Sequence, residues 1–120
     1  MTYRVILQPQ AERDLQARAR WIFDQSPSEA RSLRWIRGLR SKIATLKNSP
    51  QRCPIDPDST VYGEEVRVLL HGKRQGRYRV LFAVRGDAVH VLTIRHAAQR
   101  SLSEELDEGE AHDEGTGPIH

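Results

Sequence analysis

The chain has 120 residues, enough for one ordinary domain with one modest core. It contains no apolar run of about 18 residues, the length that a membrane-spanning helix needs. Its start lacks the long apolar segment of a signal peptide, so we expect a cytoplasmic protein. The single cysteine, Cys53, excludes an internal disulfide, and the five histidines lack metal-ligand spacing. We therefore expect neither a metal nor a cofactor.

The net charge of +3 hides a sharp division between two parts of the chain. Residues 1–100 hold all 19 Lys and Arg but only 9 of the 16 acids, which leaves a charge of +10. Residues 101–120, the acidic tail, hold the other 7 acids and no Lys or Arg, and we expect this glycine-rich segment to be disordered. A domain as basic as residues 1–100 indicates an anionic partner, either nucleic acid or an acidic protein segment. The alternative is a solvated, arginine-rich surface.

The first half of the chain predicts a strand followed by two helices. Residues 3–8 form a strand candidate, and Pro9 opens a helix that runs to about residue 24 with apolar residues at helical spacing. Residues 26–29 combine a serine cap, a proline and a capping-box glutamate, so a second helix starts there and runs to about residue 47. Because the connection is very short, the two helices should form an antiparallel hairpin.

The second half predicts three strands after an irregular, proline-rich segment at residues 51–62. Residues 64–71 alternate as a strand, and residues 78–84 and 88–94 form a β-hairpin around a Gly-Asp turn. The predicted order is therefore β-α-α-β-β-β. It describes an α+β domain whose antiparallel sheet is covered on one face by the helical hairpin.

A two-residue turn at Gly86-Asp87 assigns each hairpin residue to one face of the sheet. One face is aliphatic and aromatic and suits the helices, whereas the other combines an apolar floor with a cationic rim. The residues predicted for this second face are Arg77, Arg79, Leu81, Leu92, Ile94 and His96, with Arg67, Leu69 and His71 from the preceding strand.

An exposed apolar patch edged with charge predicts a partner site. Arginines at its rim would bind phosphates, and His96 would act as an acid or base near neutral pH. In the alternative, the arginines pair with Glu64, Glu65 and the acidic tail, and His96 only ends a strand.

A strand, a helical hairpin and a distinctive final hairpin carry a family resemblance. The final hairpin consists of Tyr78-Arg79, an apolar strand, a short acidic turn, a second apolar strand and Arg95-His96. The opening pattern is Pro9, Ala11, Glu12, Asp14 and Leu15. Over residues 2–100 the chain resembles the RelE/ParE superfamily of bacterial type II toxins. The resemblance implies a cognate antitoxin, whose extended or helical segment wraps the toxin, buries its apolar grooves and meets its basic site with acids.

The resemblance also implies one of two activities. RelE-like members cleave messenger RNA on the ribosome, and in that case Arg67, Arg79 and His96 are the implied catalytic residues. ParE-like members poison DNA gyrase and need no catalytic residues. The ending Arg95-His96-Ala97 is similar to the ParE-type ending, with alanine in place of glycine. The tyrosine that often ends the RelE-type site has no counterpart, so the ParE-like activity is favoured.

A third possibility is a non-toxic member of the family that is retained as a binding module. For each of these functions we expect an anion or partner to be bound by basic and apolar residues in and before the hairpin. These residues are Lys73, Arg74, Arg77, Tyr78, Leu81, Leu92, Ile94 and Arg95.

Overall fold

The computed structural model describes residues 2–25, 28–73 and 76–97, which fold into a sheet with two long helices on one face. None of the helices in these ranges is both long and apolar enough to cross a membrane. The elements are β1 (Arg4–Leu7), α1 (Pro9–Gln25), α2 (Glu29–Ala44), α3 (Ser59–Tyr62), β2 (Arg67–His71), β3 (Tyr78–Arg85) and β4 (Ala88–His96). Two short 3-10 turns, Thr45–Lys47 and Pro50–Arg52, follow α2. The expectation of a disordered acidic tail concerns residues outside the described ranges.

The four strands lie in the order β1-β4-β3-β2, which confirms the α+β class. Strands β2, β3 and β4 form the predicted antiparallel meander. The prediction of a wholly antiparallel sheet is wrong, because β1 pairs in parallel with β4. Only Gln8 separates β1 from α1, and α1 packs against β4, so β1 enters the sheet beside β4. The backbone of Gln8 continues this ladder by donating a hydrogen bond to the carbonyl of Val91 (2.9 Å).

The start of α2 differs from the prediction by two residues. The N-cap is Ser28, in extended conformation, and its Oγ accepts a hydrogen bond from the backbone N–H of Arg31 (3.2 Å). The predicted cap, Ser26, lies outside the described residues. The cap bond satisfies one of the N–H groups that a helix start leaves without a partner.

Two apolar clusters lie on the two faces of the sheet. The helix-side cluster joins α1 and α2 to the sheet through buried residues that include Leu15, Leu39, Ile43, Val80, Phe82, Val89, Val91 and Ile94. The second cluster, on the opposite face, is smaller and consists of Val66, Val68 and Leu81, with Tyr62 and Leu92 packed against it. Both faces of the central strands are therefore covered.

The β3–β4 hairpin follows the predicted register only in its half nearest the turn. There Arg85 lies opposite Ala88 and Phe82 lies opposite Val91, as expected. A β-bulge then places Leu92 as an extra residue in β4, so that Leu81 pairs with Thr93. The four pairs beyond the bulge are Leu81–Thr93, Val80–Ile94, Arg79–Arg95 and Tyr78–His96.

This bulge overturns part of the predicted surface. One extra residue shifts every later partner in the strand by one position, which reverses the expected faces. Ile94 therefore packs in the helix-side cluster rather than on the second face. His96 lies opposite Tyr78 rather than opposite Arg77. The predicted floor and rim on one face do not exist as a single surface.

The predicted face of β2 is also wrong. Leu69 pairs with Val80 and belongs to the helix-side cluster, whereas Val68 pairs with Leu81 in the second cluster. Directly paired residues share a face, so Arg67, opposite Phe82, lies on the helix side as well. Because both faces of this strand are partly covered, its alternating pattern does not reveal which face meets the helices.

The segment that covers the second face is the one predicted to be irregular. It runs along the outer edge of β2, where Ile55 bridges to Arg67 and the backbone of Val68 donates to the carbonyl of Pro54 (2.9 Å). Helix α3 then brings Tyr62 against the second cluster, and Leu81 is completely buried. The predicted exposed floor is therefore part of the core.

Gly72, after β2, provides a test of the backbone geometry. Its φ is +95°, and an added Cβ would lie 2.4 Å from the carbonyl oxygen of Gly76. We expect Gly72→Ala to lower the free energy of unfolding by about 2–3 kcal/mol, since strain and a backbone clash act together. Gly63→Ala is the matched control, because Gly63 has a φ of +69° but no atom within 4 Å of the added Cβ. Urea unfolding measures both, and equal losses would show that the clash is absent.

Candidate functional site

The first proposed catalytic residue, Arg67, is held by the loop beside β2. Its Nη1 donates hydrogen bonds to the carbonyl oxygens of Gln51 (3.1 Å) and Cys53 (2.6 Å). Its Nη2 forms an ion pair with Glu65 at 3.0 Å, which agrees with the alternative that arginines pair with neighbouring acids. Both terminal nitrogens of Arg67 are therefore engaged, and they could bind a phosphate only if the loop around Gln51 and Cys53 rearranged.

The second residue, Arg79, lies on the opposite face of the sheet. It pairs across the hairpin with Arg95, and its Nη1 is 3.9 Å from Oδ1 of Asp56. Asp56 is 2% exposed, and its Oδ2 also accepts a hydrogen bond from the backbone of Asp58 (2.8 Å). Asp58 is itself buried. Arg79 therefore lies beside a buried carboxylate rather than at an open rim.

The third residue, His96, lies on the helix side near α1. Its ring meets that of Tyr78 edge-on, with centroids 4.9 Å apart. Arg67 shares this face, but their partners Phe82 and Tyr78 are four residues apart on β3, about 13 Å along the strand. The structure therefore does not bring Arg67, Arg79 and His96 together around one position.

His96 lines a pocket of about 250 Å³ between α1 and the sheet, which we call the Arg18 pocket. It is lined by Asp14, Ala17, Arg18 and Trp21 of α1, and by Tyr78, Ile94 and His96 of β3 and β4. The guanidinium carbon of Arg18 lies 4.6 Å from the centre of the Trp21 ring and 5.7 Å from that of Tyr78. Both contacts are within the range of cation–π attraction.

The two charged residues of α1 in this pocket have different roles. The carboxylate of Asp14 accepts hydrogen bonds from Thr93 Oγ1 (2.5 Å) and from the backbone of Ile94 (3.0 Å), so it holds β4 just beyond the bulge. Arg18 has no ion pair with any carboxylate of the described residues. The pocket thus presents a guanidinium among aromatic rings, an arrangement that suits an anionic group attached to an apolar one.

Burial sets the ionisation of three groups near this part of the sheet. It raises the pKa of the Tyr78 hydroxyl, although Arg18 opposes the shift, so the phenol remains protonated near neutral pH. It lowers the pKa of His71, the β2 residue opposite Tyr78, and Lys42 adds to that effect. It also raises the pKa of the Cys53 thiol, which therefore lacks the thiolate character of a reactive cysteine.

A second concave surface, the helical groove, lies between α1 and α2 with a volume of about 590 Å³. Its lining is mainly apolar and includes Ala19, Phe23, Leu33 and Ile36, with Arg20 at its margin. Phe23 and Leu33 are exposed large side chains. Leu33 and Ile36 continue the helical spacing of the buried Leu39 and Ile43, so the sequence pattern does not distinguish the groove residues from the core residues.

The remaining predicted partner residues are scattered. Lys73 and Arg77 are exposed, Tyr78 and Arg95 are buried, and Leu92 is half-buried. Arg74 lies outside the described residues. Of the predicted set, Tyr78, Ile94 and His96 meet in the Arg18 pocket, whereas Leu81 and Leu92 pack in the second cluster on the other face.

The sequence did not identify the residues that α1 contributes to this pocket. Arg18 and Trp21 are three residues apart, so they lie on neighbouring turns of one helix face. The sequence shows this spacing, but it does not show that this helix face packs against the end of the β3–β4 hairpin.

Comparisons with known proteins agree with this architecture. A search of curated proteins found no significant match. Nine chains among solved structures are similar. One of them, described as "Chromosomal ParDE TA system from P. aeruginosa", has a TM-score of 0.62 and 19% sequence identity, covering 79% of this chain and 96% of that chain. At this identity the similarity shows the fold alone.

The family comparison extends over most of the chain. The profile of the family described as "ParE toxin of type II toxin-antitoxin system, parDE" matches residues 5–101. This range includes all the strands and helices except the first residue of β1. The chain therefore belongs to the ParE toxin family of type II toxin–antitoxin systems.

Proposed function

We propose that this ParE-family toxin acts in the cytoplasm by binding DNA gyrase and does not cleave RNA. The observation that carries the proposal is the separation of Arg67, Arg79 and His96, the residues that a RelE-like nuclease would need at one phosphate. An acid or base must be within hydrogen-bond reach of the atom that it protonates or deprotonates. Groups that stabilise the developing charge must be aimed at the same position.

The environments of the two arginines support the same conclusion. Arg79 lies beside the buried Asp56, and Arg67 is engaged by Glu65 and two carbonyl groups. Moving Arg79 towards a phosphate would leave the buried carboxylate of Asp56 without its arginine, which is costly. Moving Arg67 would break its hydrogen bonds to the two carbonyl groups. A toxin that acts by binding a protein target does not need these side chains to move.

The family pairs each toxin with an antitoxin, and we propose that the antitoxin covers the helical groove. The apolar side chains of Phe23 and Leu33 are exposed there, and Arg34 and Arg37 line the adjoining outer face of α2. An amphipathic segment with apolar residues on one side and acids at its edges would bury the first pair and meet the second. Helix-in-groove recognition uses this arrangement.

The test is expression of the toxin without antitoxin, comparing the natural chain with His96→Ala and Arg79→Gln. We expect growth arrest with broken DNA and inhibited gyrase supercoiling in vitro, and we expect His96→Ala to remain toxic. The toxicity of Arg79→Gln is compared at an equal amount of folded protein, because this change leaves the buried Asp56 without its arginine and can lower stability. Messenger cleavage that disappears in His96→Ala would overturn the proposal. Folded protein that causes no arrest would instead indicate a binding module.

A further inference from the structure

We propose that the acidic tail, residues 101–120, docks into the Arg18 pocket of its own chain and shields it from other acidic segments. This inference goes beyond the proposed function and does not depend on gyrase. It rests on the position of the pocket relative to the end of β4, on the charge of the two parts of the chain, and on the chemistry of the lining.

The Arg18 pocket lies beside the end of β4. His96, the last residue of β4, lines the pocket, and the next residue is held there because the backbone of Ala97 donates a hydrogen bond to the carbonyl of Arg77 (2.8 Å). Ala97 therefore lies next to a residue that lines the pocket. The first tail acids, Glu104 and Glu105, follow seven and eight residues after Ala97. An extended chain spans about 3.3–3.6 Å per residue, so these carboxylates can reach any side of a pocket that His96 borders.

The acidic tail and residues 1–100 have opposite net charge. The tail carries seven acids and no Lys or Arg. Three arginines of α1, namely Arg13, Arg18 and Arg20, form no ion pair with a carboxylate in the part of the chain that the structure describes. Attachment in the same chain gives the tail an effective concentration on the order of millimolar, which favours even a weak contact.

The lining of the Arg18 pocket matches the composition of the acidic tail. Trp21 is 51% exposed beside Arg18, so the pocket offers an uncovered aromatic ring together with a guanidinium. The tail interleaves Leu102 and Leu106 with Glu104 and Glu105. An apolar side chain against Trp21 and a carboxylate on Arg18 would use both features, and the guanidinium binds carboxylates in a bidentate manner. Docking there would compete with any acidic partner segment that approaches α1.

Acrylamide quenching of Trp21 fluorescence in the full chain tests the contact. The background is Trp35→Phe, which leaves Trp21 as the reporter. Trp35 Nε1 has no hydrogen-bond partner among the described residues, so this change removes no such bond. The test variant neutralises four tail acids at constant length, with Glu104→Gln, Glu105→Gln, Asp107→Asn and Glu108→Gln. We expect the quenching constant to rise about twofold in this variant, and in the natural tail at about 1 M salt, because the tail releases Trp21.

Two further variants make the result specific to the pocket. In Arg18→Gln, neutralising the tail is expected to change quenching no further, because the contact is already lost. In Arg34→Gln, which removes an equal charge from the outer face of α2, the effect of the tail should persist in full. Quenching that is indifferent to the tail acids would overturn the proposal, and so would equal behaviour of the two arginine variants.

A peptide added in trans provides an independent measurement. A synthetic peptide of residues 101–114 should bind the neutral-tail protein saturably and restore the protection of Trp21. Arg18→Gln in that protein should weaken binding by about tenfold, the loss expected for one charge-assisted pair. Failure of the peptide to bind the neutral-tail protein would reject the pocket as the docking site.

Discussion

Leu81→Ala is expected to lower the free energy of unfolding by about 3–5 kcal/mol, because a completely buried leucine is replaced by a side chain that leaves a cavity. Leu81 lies in β3, on the sheet face that carries the second cluster, where it packs with Val66, Val68 and Tyr62. The sequence placed it on an exposed partner surface. The size of the loss therefore tests whether the α3 segment covers this face in solution.

The matched control is Leu70→Ala, on the strand beside Leu81. Leu70 is 43% exposed, so its truncation should cost less than about 1 kcal/mol. Urea unfolding of the two variants measures the difference. A stable Leu81→Ala protein with weakened antitoxin binding would contradict the buried second cluster and restore the predicted surface.

Asp14→Ala is expected to destabilise the fold by about 3 kcal/mol, since it removes three hydrogen bonds to the carboxylate and leaves two buried donors unpaired. The donors are the hydroxyl of Thr93 and the backbone N–H of Ile94, and both residues are buried. These bonds connect α1 to β4 immediately after the bulge. We also expect the variant to loosen the Arg18 pocket, because the bulge sets the side of the sheet on which His96 lies.

Two control variants separate the contributions of charge and hydrogen bonding. Asp14→Asn keeps an oxygen acceptor in place and should cost less than Asp14→Ala. Thr93→Val removes one donor and leaves the bond from Ile94, so its loss should be about 1 kcal/mol. Thermal and urea unfolding of the single and double variants give the coupling energy of the pair. Additive losses for Asp14→Ala and Thr93→Val would contradict a direct bond.

Much of the architecture was predictable because it depends on short-range chemistry. The apolar spacing from Ala11 to Leu15 determines a helix, and the Gly86-Asp87 turn pairs Arg85 with Ala88 as expected. The proline after β1 marks the start of α1 correctly. These features need only neighbours within a few residues, so the sequence carries them directly.

The candidate site was less predictable because its residues meet through long-range packing. One bulge residue, Leu92, is enough to move Ile94 and His96 to new partners. The alternation of apolar and polar residues in β4 does not predict this bulge. The strand beyond the bulge is held because Thr93 and Ile94 donate hydrogen bonds to Asp14, which lies on a helix some 80 residues earlier in the chain. Arg18 lies in the pocket for the same reason, because α1 packs against the end of β4.

By itself, the sequence determined the order of the strands and of the two long helices, the α+β class, the division of charge between residues 1–100 and the acidic tail, and the resemblance to toxins of this superfamily. The tertiary structure alone decided that β1 is parallel to β4, that α3 covers Leu81, and that Arg67, Arg79 and His96 are separated. The reason is physical. Periodicity and turn chemistry act within one element, whereas a strand's register and the covering of its faces depend on contacts between distant parts of the chain.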